Sequence, residues 1–181
     1  LYARFDDVLR KSDEELLQLR AAGLEDLHMG FESGSDFILT LMNKGVSSLD
    51  VLAAARKMEK ADIGYFVTVI LGLGGRTYRN IHALEPSRVV SQMNPKGIWC
   101  LNLKVWENTP LEQMAKQGEF DPMTPWEMLQ EEWIMLNNLN VKNCFYMDTT
   151  VLNKYTVQGI LPQAKPAMLE GIRQLLEQER P

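Results

Sequence analysis

Four stretches of this 181-residue chain collect the side chains and glycines from which ligand sites are built: Tyr2-Ala3-Arg4, Glu32-Ser33-Gly34-Ser35, Gly72-Leu73-Gly74-Gly75, and the turn from Lys104 to Thr109. Glu32 is the sharpest of them. With Gly30 before it and Gly34 after it, its carboxylate can accept two hydrogen bonds from a diol such as a ribose. It can equally serve the helix that starts near Asp36, because a helix N-terminus favours a nearby negative charge. Lys44, in the last turn of that helix, has the same double reading: a cation for a ligand, or a charge suited to the negative end of the helix dipole. The glycine cluster lacks the third glycine of a dinucleotide fingerprint, and no Gly-Lys-Ser follows it. It reads as a tight strand-to-helix turn or as a close backbone approach to a ligand. Arg4 allows either role. His28 and His82 stand without a partner cluster and read as structural, while Met29, Met42, Met58 and Met93 read as core filling.

The elements around these residues must bring strand ends together for any site to form. Ser12 with Glu15 makes a capping box and Gly23 a stop, which predicts a helix over 13–22. Leu27 to Phe31 predicts a strand, and Ser35 or Asp36 caps a short helix that Gly45 ends. Ser47 with Asp50 opens a longer helix, closed by Gly64 before Tyr65–Leu71, a strand apolar on both faces as buried parallel strands are. A helix over 77–93 should be kinked or split by Pro86, and Ile98–Val105 forms a third strand. One β/α unit per ~30–40 residues makes the chain α/β, and suits a barrel or an open doubly wound sheet equally. Beyond Leu111 the pattern turns helical. Thr124-Pro125-Trp126-Glu127 caps a helix to about Leu139, residues 163–180 carry a second apolar stripe, and 143–161 reads as irregular.

Composition narrows the function classes. The chain is 45% hydrophobic and 24% charged, as soluble globular proteins are. A net charge of -5 argues against a nucleic-acid footprint, which shows as a basic face. The longest apolar run falls far short of the ~20 residues of a spanning helix, and the absence of a secretory segment leads us to expect a cytoplasmic protein. Cys100 and Cys144, 44 positions apart, form neither a disulfide framework nor a cluster motif and read as buried thiols. The chain opens on Leu1-Tyr2-Ala3-Arg4 without an initiator methionine, so a fragment of a longer protein is expected.

The string MGFESGSDFILTLMNKGVSSLDVLAAARKMEKADIGYFVTVILGLGG, residues 29–75, resembles the fourth and fifth β/α units of radical S-adenosylmethionine enzymes. There G-x-E-S-G opens the turn, N-K-G ends the short helix and I-x-G closes the next strand. Asn108-Thr109-Pro110-Leu111 is similar to the family's G-T-P-L, with Asn108 in place of the glycine. The tail from Asn153 to Lys165 is similar to one uncharacterised iron-sulfur oxidoreductase branch. The resemblance implies the second half of a partial (β/α)6 barrel over 1–112, followed by a helical C-terminal extension over 113–181.

It also implies roles. Glu32, with Ser33 beside it, would contact the ribose of S-adenosylmethionine, Lys44 its methionyl carboxylate, and Ile70, Leu71 and Gly72 the adenine, with Arg4 at the neighbouring strand end. Leu103, Lys104 and Val105 would line the next strand's mouth. The fifth-strand motif departs from its stricter form, with Thr68 for a glycine and Gly75 for a glutamate. The family's C-x3-C-x2-C run, which holds a 4Fe-4S cluster through thiolates, has no counterpart here. The full-length protein would therefore bind its cluster through a missing N-terminal half, cleave S-adenosylmethionine to a 5'-deoxyadenosyl radical and abstract hydrogen from a substrate. This chain alone would be inactive. A half-barrel would expose a strand edge and an apolar inner face, so the fragment is expected to dimerise or aggregate. Two rivals stand beside this reading: a phosphate-binding barrel enzyme using Gly72–Gly75, and an interaction module on the helical tail, with Trp126 and Trp133 seven residues apart.

Overall fold

Strand-length apolar runs alternate with capped helices throughout residues 1–180, which the computed structural model describes. In chain order they are β1 (Tyr2–Ala3), α1 (Phe5–Arg10), α2 (Asp13–Ala21), β2 (Asp26–Glu32), α3 (Asp36–Leu41), α4 (Ser48–Lys60), β3 (Gly64–Leu71), α5 (Gly75–Val90) and β4 (Gly97–Asn102). They continue with α6 (Pro110–Lys116), α7 (Pro125–Asn138), β5 (Cys144–Met147), β6 (Gln158–Leu161) and α8 (Lys165–Gln178). The strands form one sheet in sequence order, parallel from β1 to β5, with β6 antiparallel against β5. That order has no switch point, the feature that defines a doubly wound sheet.

One face of the sheet is packed and the other is not. Along β3 burial alternates strictly: Tyr65, Val67, Val69 and Leu71 are buried, while Phe66, Thr68 and Ile70 are half-exposed. The buried set joins Met29 and Phe31 of β2, Ile98 and Cys100 of β4, Tyr146 of β5, and residues of α4, α7 and α8 in one core. The apolar residues on both faces of β3 predict a strand covered on both sides. In the structure helices cover one side only. On the other, His28 stacks on Phe66 with ring centroids 5.0 Å apart and meets the edge of Trp99.

Side-chain capping explains where five of the eight helices among the described residues begin. Ser12, Ser35, Ser47, Thr109 and Thr124 each accept a backbone N–H of the first turn. The structure differs further from the expectations drawn from sequence. Helices α1 and α6 are additional to them, and α3 ends at Leu41, leaving Lys44 beyond its last turn. Pro86 lies inside α5 without splitting it, and the break falls at Tyr78 (φ -113°, ψ 15°). The third strand stops at Asn102 rather than Val105. Residues 143–161 are irregular only over 148–157: their ends form β5 and β6, and β5 pairs with β4 and extends the sheet into the segment beyond residue 112. The expected helical extension thus carries two strands of its own.

Candidate functional site

At the carboxyl end of β2 the backbone does something a glutamate rarely does. Glu32 has φ 65°, in the left-handed region, and the Ser33 N–H donates across it to the Phe31 carbonyl at 2.8 Å. The register against β3 slips between Gly30 and Glu32, a bulge that re-aims the side chain. Its carboxylate lies over Gly30, with Oε1 3.3 Å from where a Cβ on that residue would sit. Gly30 is therefore the open floor beneath the carboxylate. Strain of this kind persists where the surroundings enforce it and concentrates at functional sites.

Two cations converge on the same place. Lys44, just past α3, forms an ion pair with Glu32 Oε2. Arg4, at the end of β1, donates to the Lys44 carbonyl at 3.2 Å and from Nε to Asp6 at 2.9 Å, which holds the Asp6 carboxyl below its ordinary range. Arg4, Gly30, Glu32, Asn43 and Lys44 line one open cavity of about 270 Å³. The structure thus gathers Arg4, Glu32 and Lys44 from three separate stretches. Ser33 is fully buried and turns inward, its Oγ accepting the Ser35 N–H. Ile70 faces the open side of the sheet, diagonal to Glu32, which pairs with Val69. Leu71 is buried on the helical side.

Gly72 to Gly75 form a turn closed from beneath. The Gly72 N–H donates to Glu131 Oε1 at 2.8 Å, Leu73 N–H to Ile70 O, Gly75 N–H to Gly72 O, and Arg76 N–H to Asp121 O. A Cβ on Gly72 (φ 82°) would lie 2.8 Å from Met128 Sδ. With four amides already paired inside the protein, this is not a phosphate cradle, and the glycines answer to close packing.

Sequence reasoning missed the buried acids of α7. Glu131 and Glu132 are each 2% exposed. Glu131 Oε1 also meets His82 Nδ1 at 2.8 Å. Glu132 accepts from the Tyr146 hydroxyl at 2.8 Å, which in turn accepts from Cys100 Sγ–H. Asp148, also buried, accepts the Val157 N–H. Burial, with Asp148 nearby, pushes the Glu132 carboxyl well up, and burial raises Asp148 to about 6. Two consecutive glutamates in an amphipathic helix look like a solvent face, so nothing short of tertiary structure reveals them. Asn153 closes the same region: its Oδ1 accepts the Asn102 N–H and its Nδ2 donates to the Cys100 carbonyl.

The two cysteines are buried, as their spacing and context in the sequence suggest. Burial raises both thiols, Cys144 to about 12, and Cys100 is bonded to Tyr146. A cluster is held by several thiolates together, and two buried thiols raised toward the protonated form do not fit one. Among the described residues there is no group of three or more metal-ligating side chains, and no helix is long and apolar enough to cross a membrane. Trp126 and Trp133 are half-buried, and the Trp126 indole donates to the Leu176 carbonyl of α8.

Comparison with known proteins bears on the fold. No protein-family model matches the chain. An uncharacterised protein of Methanocaldococcus jannaschii is 26% identical over 113 residues, 60% of this chain and 34% of that protein. The solved structure of archaeal Elp3 from Methanocaldococcus infernus, with an N-terminal deletion (1–46), superposes on 98% of this chain with a TM-score of 0.68. The likeness is one of fold. Identity is 18%, and this chain spans 41% of the solved one and about a third of the curated relative.

Proposed function

We propose that this chain is the second half of a partial (β/α)6 barrel of a radical S-adenosylmethionine enzyme, and that the cavity at the ends of β1 and β2 receives the cofactor. The observation that carries the reading is Glu32: a carboxylate held in a strained left-handed conformation at the mouth of a parallel strand, over a glycine, with two cations beside it. The fold shared with archaeal Elp3 supports the barrel part of the reading, as does the strand order without a switch point.

The chemistry follows from the side chains. Glu32 offers acceptors to a ribose diol, and Lys44 and Arg4 supply positive charge for a carboxylate. Gly30 leaves the room that a side chain would fill. When bound and reduced through a 4Fe-4S cluster, S-adenosylmethionine supplies a 5'-deoxyadenosyl radical for hydrogen abstraction. The thiolates for that cluster belong to the N-terminal half of the barrel, outside this sequence, and this chain alone is expected to be inactive. Its open sheet face and the short edge strand β1 make a dimer or a self-associating species the expected state of the isolated chain, in a cytoplasmic protein.

The test is on the full-length protein, purified without oxygen. Iron and sulfide are measured, then 5'-deoxyadenosine formed from S-adenosylmethionine and a reductant, for wild type and Glu32→Ala. A cluster with cleavage that weakens in the variant is expected. A full-length protein that binds no cluster sinks the proposal.

A further inference from the structure

The segment 120–131 reaches under the mouth of β3 and fixes it at three points. Glu131 of α7 accepts the Gly72 N–H at 2.8 Å, and Met128, one turn earlier on the same helix, fills the space where a Cβ on Gly72 would stand. Phe120 and the Asp121 carbonyl lie 3.0 and 2.9 Å from the corresponding position on Gly75. Arg76 closes the frame, donating from Nε to Glu127 at 2.8 Å and from a terminal nitrogen to Asp121 at 2.8 Å. Glu131 is itself oriented by His82 of α5 through the same oxygen that holds Gly72. All of these groups act on the backbone that follows Ile70, the open-face neighbour of Glu32.

The glycines allow the close packing, and the buried acid adds a specific hold: Glu131 places one carboxylate oxygen on both the Gly72 N–H and His82, a contact that offsets the cost of burying the two side chains. What the pair does achieve is a Gly72 turn of one conformation. We infer that Glu131 is a positioning residue for the cofactor site proposed above: it holds the turn of β3, one strand over from the cavity at the ends of β1 and β2, in the geometry that an adenine edge would meet. The inference rests on the cofactor reading above.

The full-length protein tests it with two ligands, S-adenosylmethionine and 5'-deoxyadenosine, whose equilibrium affinities are measured without turnover. Glu131→Asp keeps the charge and withdraws the carboxylate by one methylene; Glu131→Gln keeps the reach and loses the charge. Positioning through the hydrogen bond predicts that Glu131→Asp weakens both ligands by about tenfold, and that Glu131→Gln recovers most of that loss. Lys44→Ala, acting at the amino-acid end, should weaken S-adenosylmethionine alone. Should Glu131→Asp fail to fold, Met128→Ala loosens the same turn without stranding an acid and carries the same expectation for both ligands. A folded Glu131→Asp with wild-type affinities and only a lowered Tm overturns the inference, as does a Gln variant as weak as the Asp variant. If wild-type protein binds neither ligand, the cofactor reading itself fails. If binding is lost in Glu32→Ala but kept in Glu131→Asp, only this inference does.

Discussion

Replacing Asp148 by asparagine should change how stability depends on pH. Asp148 is fully buried near Glu132, which also faces the Tyr146 hydroxyl, with Cys100 and Glu131 close by. Its carboxyl is raised from 3.8 to about 6 by burial, and Glu132 is raised as well. A carboxyl whose folded pKa exceeds its unfolded value favours folding in the protonated form. Its contribution is complete below the unfolded value of 3.8 and is lost as pH rises through about 6. At ~1.4 kcal/mol per pH unit, the shift from 3.8 to about 6 corresponds to about 3 kcal/mol. Native protein should therefore gain stability on going from pH 7.5 to pH 5, against the usual trend for carboxylates. Asp148→Asn keeps an oxygen for the Val157 N–H and removes the Asp148 titration, so it should lessen the pH dependence in that window, leaving what Glu132 contributes, and be the more stable protein at pH 7.5. Urea unfolding at half-unit pH steps, compared between the two proteins, is the assay. A wild-type minus variant difference that is constant from pH 5 to 7.5 refutes the reasoning.

Gly34→Ala places a Cβ 2.3 Å from the Glu85 carbonyl oxygen, so backbone must move, and the loss should be about 3 kcal/mol, seen in thermal melts as a Tm lower by roughly 6–12 °C. Asn153→Ala removes the side chain that bonds Asn102, Cys100 and Thr150 and should cost about 2 kcal/mol, with faster amide exchange at Asn102 and in 148–157 as its signature. Sedimentation of the isolated chain at rising concentration should show association through its open sheet face; a monomer throughout refutes that expectation.

Much of the fold is legible in the order of residues alone. The strands β2, β3 and β4 announce themselves as apolar runs, and Ser12, Ser35, Ser47 and Thr124 mark helix starts because a side-chain acceptor there has an unpaired N–H to bond. Local sequence cannot reveal β5 and β6, each only four residues long and strand-like by virtue of pairing with β4 and with one another. The six-residue helix α1 has its signals, with Phe5 and Val8 three apart and Asp6 and Asp7 in its first turn, but is too short to show a period. In the candidate site, the turn residues point to Glu32 and Lys44, while their ion pair and the strain at Glu32 are matters of backbone conformation. The glycine cluster invites a ligand. Its amides instead answer to Glu131 and Asp121, which lie far along the chain.

That distance has a consequence for synthesis. Glu131 follows Gly72 by 59 residues, so the turn after β3 cannot take its final form while the ribosome has delivered only the strands and helices that precede it. At ~5–20 residues per second the wait is roughly 3–12 s. Until α7 emerges, β2 and β3 can already pair, with the Gly72 amide unmet and the end of β3 free to move. Completion of the strand mouth is a late event, timed by the arrival of one helix.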